Sequence, residues 1–270
     1  LLSSKKNTKS TIAAGIMLTA LILNWRNSAE LLILAPTKEI ADNSFIPTRD
    51  MIKADPELQA LFNISEHTRT ITHRVTNATL KVVAADTNTV GGKKASFILI
   101  DEVHLFGKMN GAESMLREAR GGLASRPEGF TIWLTTQSDE QPSGVMASML
   151  NYARAVRDGA IDNPSFLPIL YEFPKEYIEK EKYKDPENWY ITNPNLGTSV
   201  SKRYLVTEYE KAKESGEEAL RDFFAKHANI EIGLNLRNKR WYGADYWEQQ
   251  ALKVLTLDEL IERSEVITVG

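Results

Sequence analysis

Apolar residues come in short dense runs, and the spacing of those runs decides the elements. Nearly every position from Ile12 to Leu23 is apolar or small, which predicts a buried helix over residues 10–23. Leu31–Ala35 is a short apolar run stopped by Pro36, the pattern of a strand buried on both faces. Thr37 then suits the cap of a helix running to about Lys53, with Pro47 a kink or break within it. Residues 69–84 alternate (Thr-Ile-Thr-His-Arg-Val, then Thr-Leu-Lys-Val-Val-Ala) and predict a β-hairpin turned at Asn77. Phe97–Ile100 and Phe130–Leu134 read as further strands. A helix lies between them over 111–120 and is broken by Gly121, Gly122 and Pro127. Apolar strands separated by helices imply an α/β fold with a mainly parallel sheet covered on both faces.

The second half is less regular. The pattern predicts a helix over 143–158, a strand over 166–173, and an aromatic, proline-punctuated stretch over 174–197. A long charged helix fits 201–228, and the polar, aromatic segment 233–250 suits a linker. A short helix over 254–263 precedes a terminal strand. No internal repeat and no low-complexity tract interrupts this order.

Composition narrows the class. With 42% hydrophobic and 26% charged residues, the chain is neither disordered nor a multi-span membrane protein. Zero cysteines remove disulfides, thiolate metal sites and a cysteine nucleophile, and four histidines leave little material for a zinc site. The net charge of −3 is unevenly spread: residues 1–100 carry +4 and the remainder −7. Charge therefore neither requires nor excludes a nucleic-acid partner. Lys5, Lys6 and Lys9 before the run Ile12–Leu23 imitate a secretory signal, but the run is too short to span a bilayer. No small-x-small cleavage site follows it before Asn24, so no membrane partner is expected. Opening on Leu1 and closing on Ile-Thr-Val-Gly (267–270), where a strand would begin, both ends read as trimmed.

The chemistry begins at Ser-Ser-Lys-Lys-Asn-Thr-Lys-Ser (3–10). On the phosphate-loop pattern G-x-x-x-x-G-K-[ST], Lys9 and Ser10 match, while Ser3 and Thr8 stand at the two glycine positions. The context fits, since an apolar pair precedes the loop and a helix follows it, turning backbone N–H groups toward a phosphate. Lys9 would reach the β- and γ-phosphates and the Ser10 hydroxyl would bind Mg²⁺. A basic turn before a helix is also commonly a solvated loop, and the Cβ of Thr8 crowds a close approach.

A second element supports the first. Phe97-Ile98-Leu99-Ile100 ends in Asp101-Glu102, two carboxylates at the C-terminal edge of a buried strand. Asp101 can serve the metal and Glu102 can act as general base toward an attacking water, the division of labour that nucleotide hydrolysis needs. Thr135-Thr136-Gln137 ends the next strand, where a sensor of the γ-phosphate would sit. The implied sheet order places an extra strand between the phosphate-loop strand and the Asp-Glu strand, as in NTPases with a catalytic glutamate.

These residues resemble the large terminase subunit of tailed bacteriophages, especially its HK97-like branch. The likeness rests on Lys-Lys-Asn-Thr-Lys-Ser (5–10), Ala35-Pro36-Thr37, and Gly91-Gly92 leading to Ile-Leu-Ile-Asp-Glu-Val-His (98–104). It also rests on Gly-Gly-Leu-Ala-Ser-Arg-Pro (121–127), Thr-Ile-Trp-Leu-Thr-Thr-Gln-Ser (131–138), and Arg240-Trp241 in the linker. It implies a P-loop NTPase fold of the ASCE, RecA-like kind and a nucleotide site over Ser4, Lys5, Lys6, Asn7, Thr8, Lys9, Ser10 and Thr11. Lys5 would stand where the family has its loop arginine, a catalytic position beside Lys9 and Glu102. Ser10 and Asp101 would hold Mg²⁺, and Thr135, Thr136 and Gln137 would form a coupling motif. ATP and Mg²⁺ are the implied cofactors. The implied partners are double-stranded viral DNA, a portal protein, a small terminase subunit, and further copies of the chain in a ring. An arginine supplied in trans would come from Arg117, Arg120 or Arg126. Residues 1–235 would form the motor domain, 236–264 a linker, and 265–270 the start of an RNase H-like nuclease domain whose acidic site lies beyond Gly270. The implied compartment is the host bacterial cytoplasm.

Two other readings compete. Asp101-Glu102-Val103-His104 also spells the box of superfamily 2 helicases, but nothing in residues 140–270 supplies the second RecA-like domain with its arginine motif that such an enzyme needs. A decayed ATPase acting as an assembly module is suggested by Ser3 and Thr8. DNA contact, in any of these, would be mainly to phosphates, with Arg74, Lys93 and Lys94 as candidates.

Overall fold

The computed structural model describes residues 1–85 and 94–231, together with Thr256, Glu259 and Glu262. The chain divides into two units, Leu1–Ile232 and Gly233–Gly270, and the architecture that follows is that of the first. Gly91, Gly92, Lys93, Arg240, Trp241 and the terminal strand expected over 267–270 lie outside the described residues. Within the expected helix 254–263, Thr256 and Glu259 cap each other reciprocally: the Thr256 N–H donates to Glu259 Oε2 (3.0 Å) and the Glu259 N–H to Thr256 Oγ1 (3.3 Å).

Six strands form one sheet: β1 (Glu30–Ala35), β2 (Phe62–Ser65), β3 (Thr70–His73), β4 (Thr79–Ala84), β5 (Ala95–Ile100) and β6 (Phe130–Trp133), in the order β2-β3-β4-β1-β5-β6. β4, β1, β5 and β6 run parallel, and β2 and β3 close one edge antiparallel. In the central strand β1, alternate residues enter different cores because successive side chains point to opposite faces. Leu31 and Ile33 pack with α1 (Lys9–Leu23) and α2 (Lys38–Ala54). Leu32 and Leu34 pack on the other face, against Val103 and Phe106 of α4 (Val103–Phe106) and against α5 (Ala112–Gly121) and α6 (Gly144–Arg157). Burial on both faces is why Leu31–Ala35 in β1 and Phe97–Ile100 in β5 are unbroken apolar runs.

Most local signals act as expected. Thr37 Oγ1 accepts the Ile40 N–H and starts α2. Pro47 does not break it: α2 runs on to Ala54, because Ala41, Phe45 and Ile52 pin both of its halves to the core, offsetting the one helical hydrogen bond proline cannot make. Asn77 turns the β3–β4 hairpin at φ 54°. Residues 1–3 extend the sheet beyond β6: the Thr135 N–H donates to Leu1 O (3.0 Å), and Leu2 exchanges hydrogen bonds with Ile169 and Tyr171. Leu2 therefore lies between Thr135 and Leu170, with β6 separating it from β5. That is the extra strand expected from the sequence.

Three further expectations change. The strand expected over 166–173 is an extended segment with a single bridge, at Leu170, and Pro168 has no N–H to offer a ladder. The single helix expected over 201–228 is two, α8 (Lys202–Ser215) and α9 (Glu217–Ala228), because Gly216 at φ 104°, ψ −177° leaves helical space. β2 and the short helix α3 (Pro56–Leu61), capped by Asp55, were not expected at all; four residues carry too little periodicity to reveal a strand.

Beyond α6, the chain adds a short helix, α7 (Lys175–Glu179), and builds a separate aromatic cluster. Trp189, 1% exposed, meets Tyr209 of α8 and Phe223 of α9 at ring-centroid distances of 5.4 and 5.3 Å. Its indole N–H donates to Tyr183 O (2.8 Å).

Candidate active site

The candidate site lies where the chain leaves the C-terminal ends of β5 and β6, beside the N-terminus of α1. Loops at this edge of a parallel sheet are free to carry polar groups while the strands beneath stay apolar. The loop before α1 makes two tight turns, with Lys6 at φ 66° and Thr8 at φ 57°, ψ 21°. A β-branched residue in this left-handed region carries strain of about 1–3 kcal/mol.

Side chains far apart in sequence converge here. The Lys9 ammonium, in a residue 8% exposed, donates to Ser3 O (2.9 Å), Ser4 O (3.0 Å) and Thr136 Oγ1 (2.9 Å). Ser10 Oγ donates to Asp101 Oδ2 (3.0 Å), joining the first turn of α1 to the end of β5. The same carboxylate oxygen accepts Ser44 Oγ of α2 (3.1 Å), and Asp101 Oδ1 accepts the Glu102 N–H (2.9 Å). Glu102 is itself left-handed (φ 53°), and its Oε2 lies 3.3 Å from His104 Nδ1. The His104 N–H donates to Thr135 Oγ1 (3.2 Å), so the Asp-Glu strand is tied to the Thr-Thr-Gln strand.

Electrostatics differentiates the groups. Burial lowers Lys9 to about 8, even though Glu102 and Asp101 pull the other way. Burial also raises Asp101, reinforced by the neighbouring charge of Glu102. Burial would raise Glu102 too, but contact with His104 and the charges of Lys9 and Lys5 outweigh it and hold this carboxyl below its usual range. Two carboxylates in adjacent positions are thus pushed apart, the pattern expected when neighbours take different roles. Burial and the nearby Lys226 lower Lys5.

The remaining predicted residues are distributed around this centre. Ser4 is fully buried, and its hydroxyl has no partner among the described residues. Lys6 and Thr11 are exposed, and Asn7 is buried. Gln137 is 1% exposed, its N–H donates to Asn229 Oδ1 (3.1 Å), and its side-chain amide has no partner among the described residues. Buried polar groups left unpaired by the protein are expected where a polar ligand completes the site. One carboxylate and one hydroxyl, Asp101 and Ser10, suit Mg²⁺, which takes few protein ligands and keeps the rest as water or phosphate oxygen.

The arginines are not part of this chain's own cluster. Arg117 is exposed and pairs with Glu113 (3.6 Å). Arg120 stacks over Trp133 at 5.4 Å. Arg126 donates to Gly122 O (2.9 Å), at the opposite edge of the sheet, where Gly122 abuts the start of β5. Arg74 and Lys94 are exposed at that same opposite edge, beside the starts of β4 and β5.

Sequence reasoning missed Ser44, Asn193, Asn195 and Asn229, and read His104 only as part of an Asp-Glu-x-His box, not as the neighbour of Glu102. Ser44 gave no signal, being one hydroxyl inside a helix. The asparagines lie in or beyond a stretch whose aromatic and proline content suggested only irregular structure.

A phosphate-type loop, a carboxylate pair on the next strand but one, and a polar strand end between them define a P-loop NTPase fold. Comparison with known proteins carries this to a family. Residues 2–155 match the family model for the terminase large subunit, ATPase domain. Covering more than half of the chain, that match shows that the chain belongs to this family. The large terminase subunit of Enterobacteria phage HK97 is 22% identical over 210 residues, 77% of this chain and 39% of that protein. The crystal structure of the HK97 large terminase superposes with a TM-score of 0.69 at 22% identity, over 86% of this chain and 46% of that one. The ATPase domain of the Thermus phage P74-26 large terminase, in a point-variant form, gives a TM-score of 0.56 at 13% identity, over 86% of this chain and 87% of that domain. The chain thus spans less than half the length of the HK97 protein. Among the described residues, no helix is long and apolar enough to cross a membrane.

Proposed function

We propose that this chain hydrolyses ATP and that hydrolysis drives double-stranded viral DNA into a procapsid. The observation that carries the reading is the convergence of Lys9, Ser10, Asp101 and Thr136 through direct hydrogen bonds spanning 91 and 127 positions of sequence. Lys9 releases the carbonyls of Ser3 and Ser4 and holds the β- and γ-phosphates. Ser10 and Asp101 hold Mg²⁺, which when bound neutralises developing phosphate charge. Glu102, kept ionised by its surroundings, takes the proton from an attacking water, and Gln137 with Thr136 senses the γ-phosphate. Lys5 stands ready to stabilise transferred charge at the loop.

The finer assignments are proposed in line with family membership. Residues 1–235 act as the motor domain, 236–264 as a linker, and 265–270 as the opening of a nuclease domain. The motor works as a ring on a portal protein in the host cytoplasm, with the small terminase subunit as partner. One of Arg117, Arg120 and Arg126 reaches a neighbour's site; their absence from this chain's own cluster suits that role. Thr8 adopts the left-handed geometry a glycine would supply there, which favours a working loop over a decayed one. Phosphate release assays on the 270-residue chain test the proposal. Glu102→Gln is expected to retain ATP binding and lose about 10²-fold or more in turnover, and Lys9→Ala to lose binding. Turnover unaffected by either substitution would sink it.

A further inference from the structure

The phosphate-binding loop is gripped along its whole length by residues from the aromatic half of the unit. The Ser4 N–H donates to Thr192 O (3.3 Å) and the Lys5 N–H to Lys226 O (2.8 Å). Ser199 Oγ donates to Lys6 O (2.6 Å), Asn7 Nδ2 to Asn193 Oδ1 (2.8 Å), and the Asn195 N–H to Asn7 Oδ1 (3.0 Å). Asn195 Nδ2 donates to the Thr8 hydroxyl. The gripping arm is itself anchored, because Asn193 Nδ2 donates to Trp189 O (2.9 Å) and His227 O (2.8 Å), tying it to the aromatic cluster.

We infer that Asn195 is a positioning residue for the phosphate-binding loop, acting through the hydroxyl of Thr8. The inference rests on the nucleotide reading above. At this position a glycine would enter the left-handed turn without strain, whereas a threonine is pushed out of it by its own Cβ and branch. Threonine brings something glycine lacks, a hydroxyl that a fixed neighbour can hold. The Asn195 amide holds it, while the Asn195 N–H fixes Asn7 one residue earlier. Asn195 touches no phosphate; it keeps the Thr8 backbone in the turn that presents the first N–H groups of α1.

The grip makes a non-additive prediction that a general packing role does not. Binding of ADP and of ATPγS to the 270-residue chain is measured by calorimetry, with thermal unfolding of the nucleotide-free protein recorded beside it. Asn195→Ala is expected to weaken both nucleotides about tenfold, the loss of one well-placed constraint. Thr8→Val, which keeps the branch and removes the hydroxyl, should weaken them equally, and the Thr8→Val/Asn195→Ala pair no further. In a Thr8→Gly background the Asn195→Ala loss should shrink to about twofold or less, since glycine holds the turn unaided. Losses of the same size in the threonine and glycine backgrounds would overturn the inference, as would wild-type affinity in Thr8→Val. Should Asn195→Ala fail to fold, the comparison of Thr8→Val with Thr8→Gly decides, and equal affinity of those two overturns it. Wild-type binding that Lys9→Ala leaves unchanged would overturn the nucleotide reading itself and this inference with it.

Discussion

Two regions hold the same loop in different ways. The sheet side, from β5 and β6, meets it with groups that suit chemistry: Asp101 on Ser10 and Thr136 on Lys9. The aromatic side, from 192–199 and 226, meets it with backbone carbonyls, a serine and two asparagines. From one side a carboxylate, Asp101, bonds Ser10; from the other the hydrogen bonds come from backbone groups and neutral side chains, and the charge of Lys226 acts on Lys5 only through space. A site arranged this way separates reacting from holding, since the holding bonds go to backbone groups, Asn7 and the Thr8 hydroxyl, none of which titrates, and not to the side chains of Lys9, Asp101 or Glu102.

Substitutions on each side should separate by kind as well as by size. Glu102→Gln, on the sheet side, should remove about 10²-fold or more of turnover with unfolding temperature nearly unchanged, as read by steady-state hydrolysis. Trp189→Ala, at the heart of the other side, should instead cost about 3–5 kcal/mol of stability in denaturant titration. Its loss of nucleotide affinity should follow from the loosened arm, and full stability in this variant would break the comparison. Ser44→Ala removes one donor to Asp101 and should raise the half-saturating Mg²⁺ concentration about fivefold, the equivalent of about 1 kcal/mol. An unchanged magnesium response would confine Ser44 to packing. Smallest of all, Thr37→Ala should lower stability by about 1 kcal/mol through its lost helix cap, with hydrolysis unaltered. Thr37 caps α2 and makes none of the hydrogen bonds that hold the loop from either side, so any change in turnover there would blur the division.

The same contrast explains what was legible in the sequence. Lys9, Ser10, Asp101 and Glu102 announce themselves because few residue types can do what they do, and each sits at a strand end or helix start that pattern alone locates. The doubly buried strands β1 and β5 were legible for a similar reason, as unbroken apolar runs. Asn193 and Asn195 carry no such mark. An asparagine in an irregular stretch reads as turn chemistry, and only the fold brings it 186 positions back to Asn7. The strand expected over 166–173 and the single helix over 201–228 failed where local apolar pattern was overruled, by Pro168 in one case and Gly216 in the other.

The span of those contacts has a consequence for synthesis. Lys5 receives its backbone partner from Lys226, and Gln137 receives its from Asn229. A nascent chain that has emerged only as far as β6 already contains Lys9, Asp101, Glu102 and the start of the sheet, yet its phosphate loop still lacks one whole side. Contacts between such distant positions form late in folding. On the nucleotide reading proposed above, the ribosome completes this site only near the end of the unit.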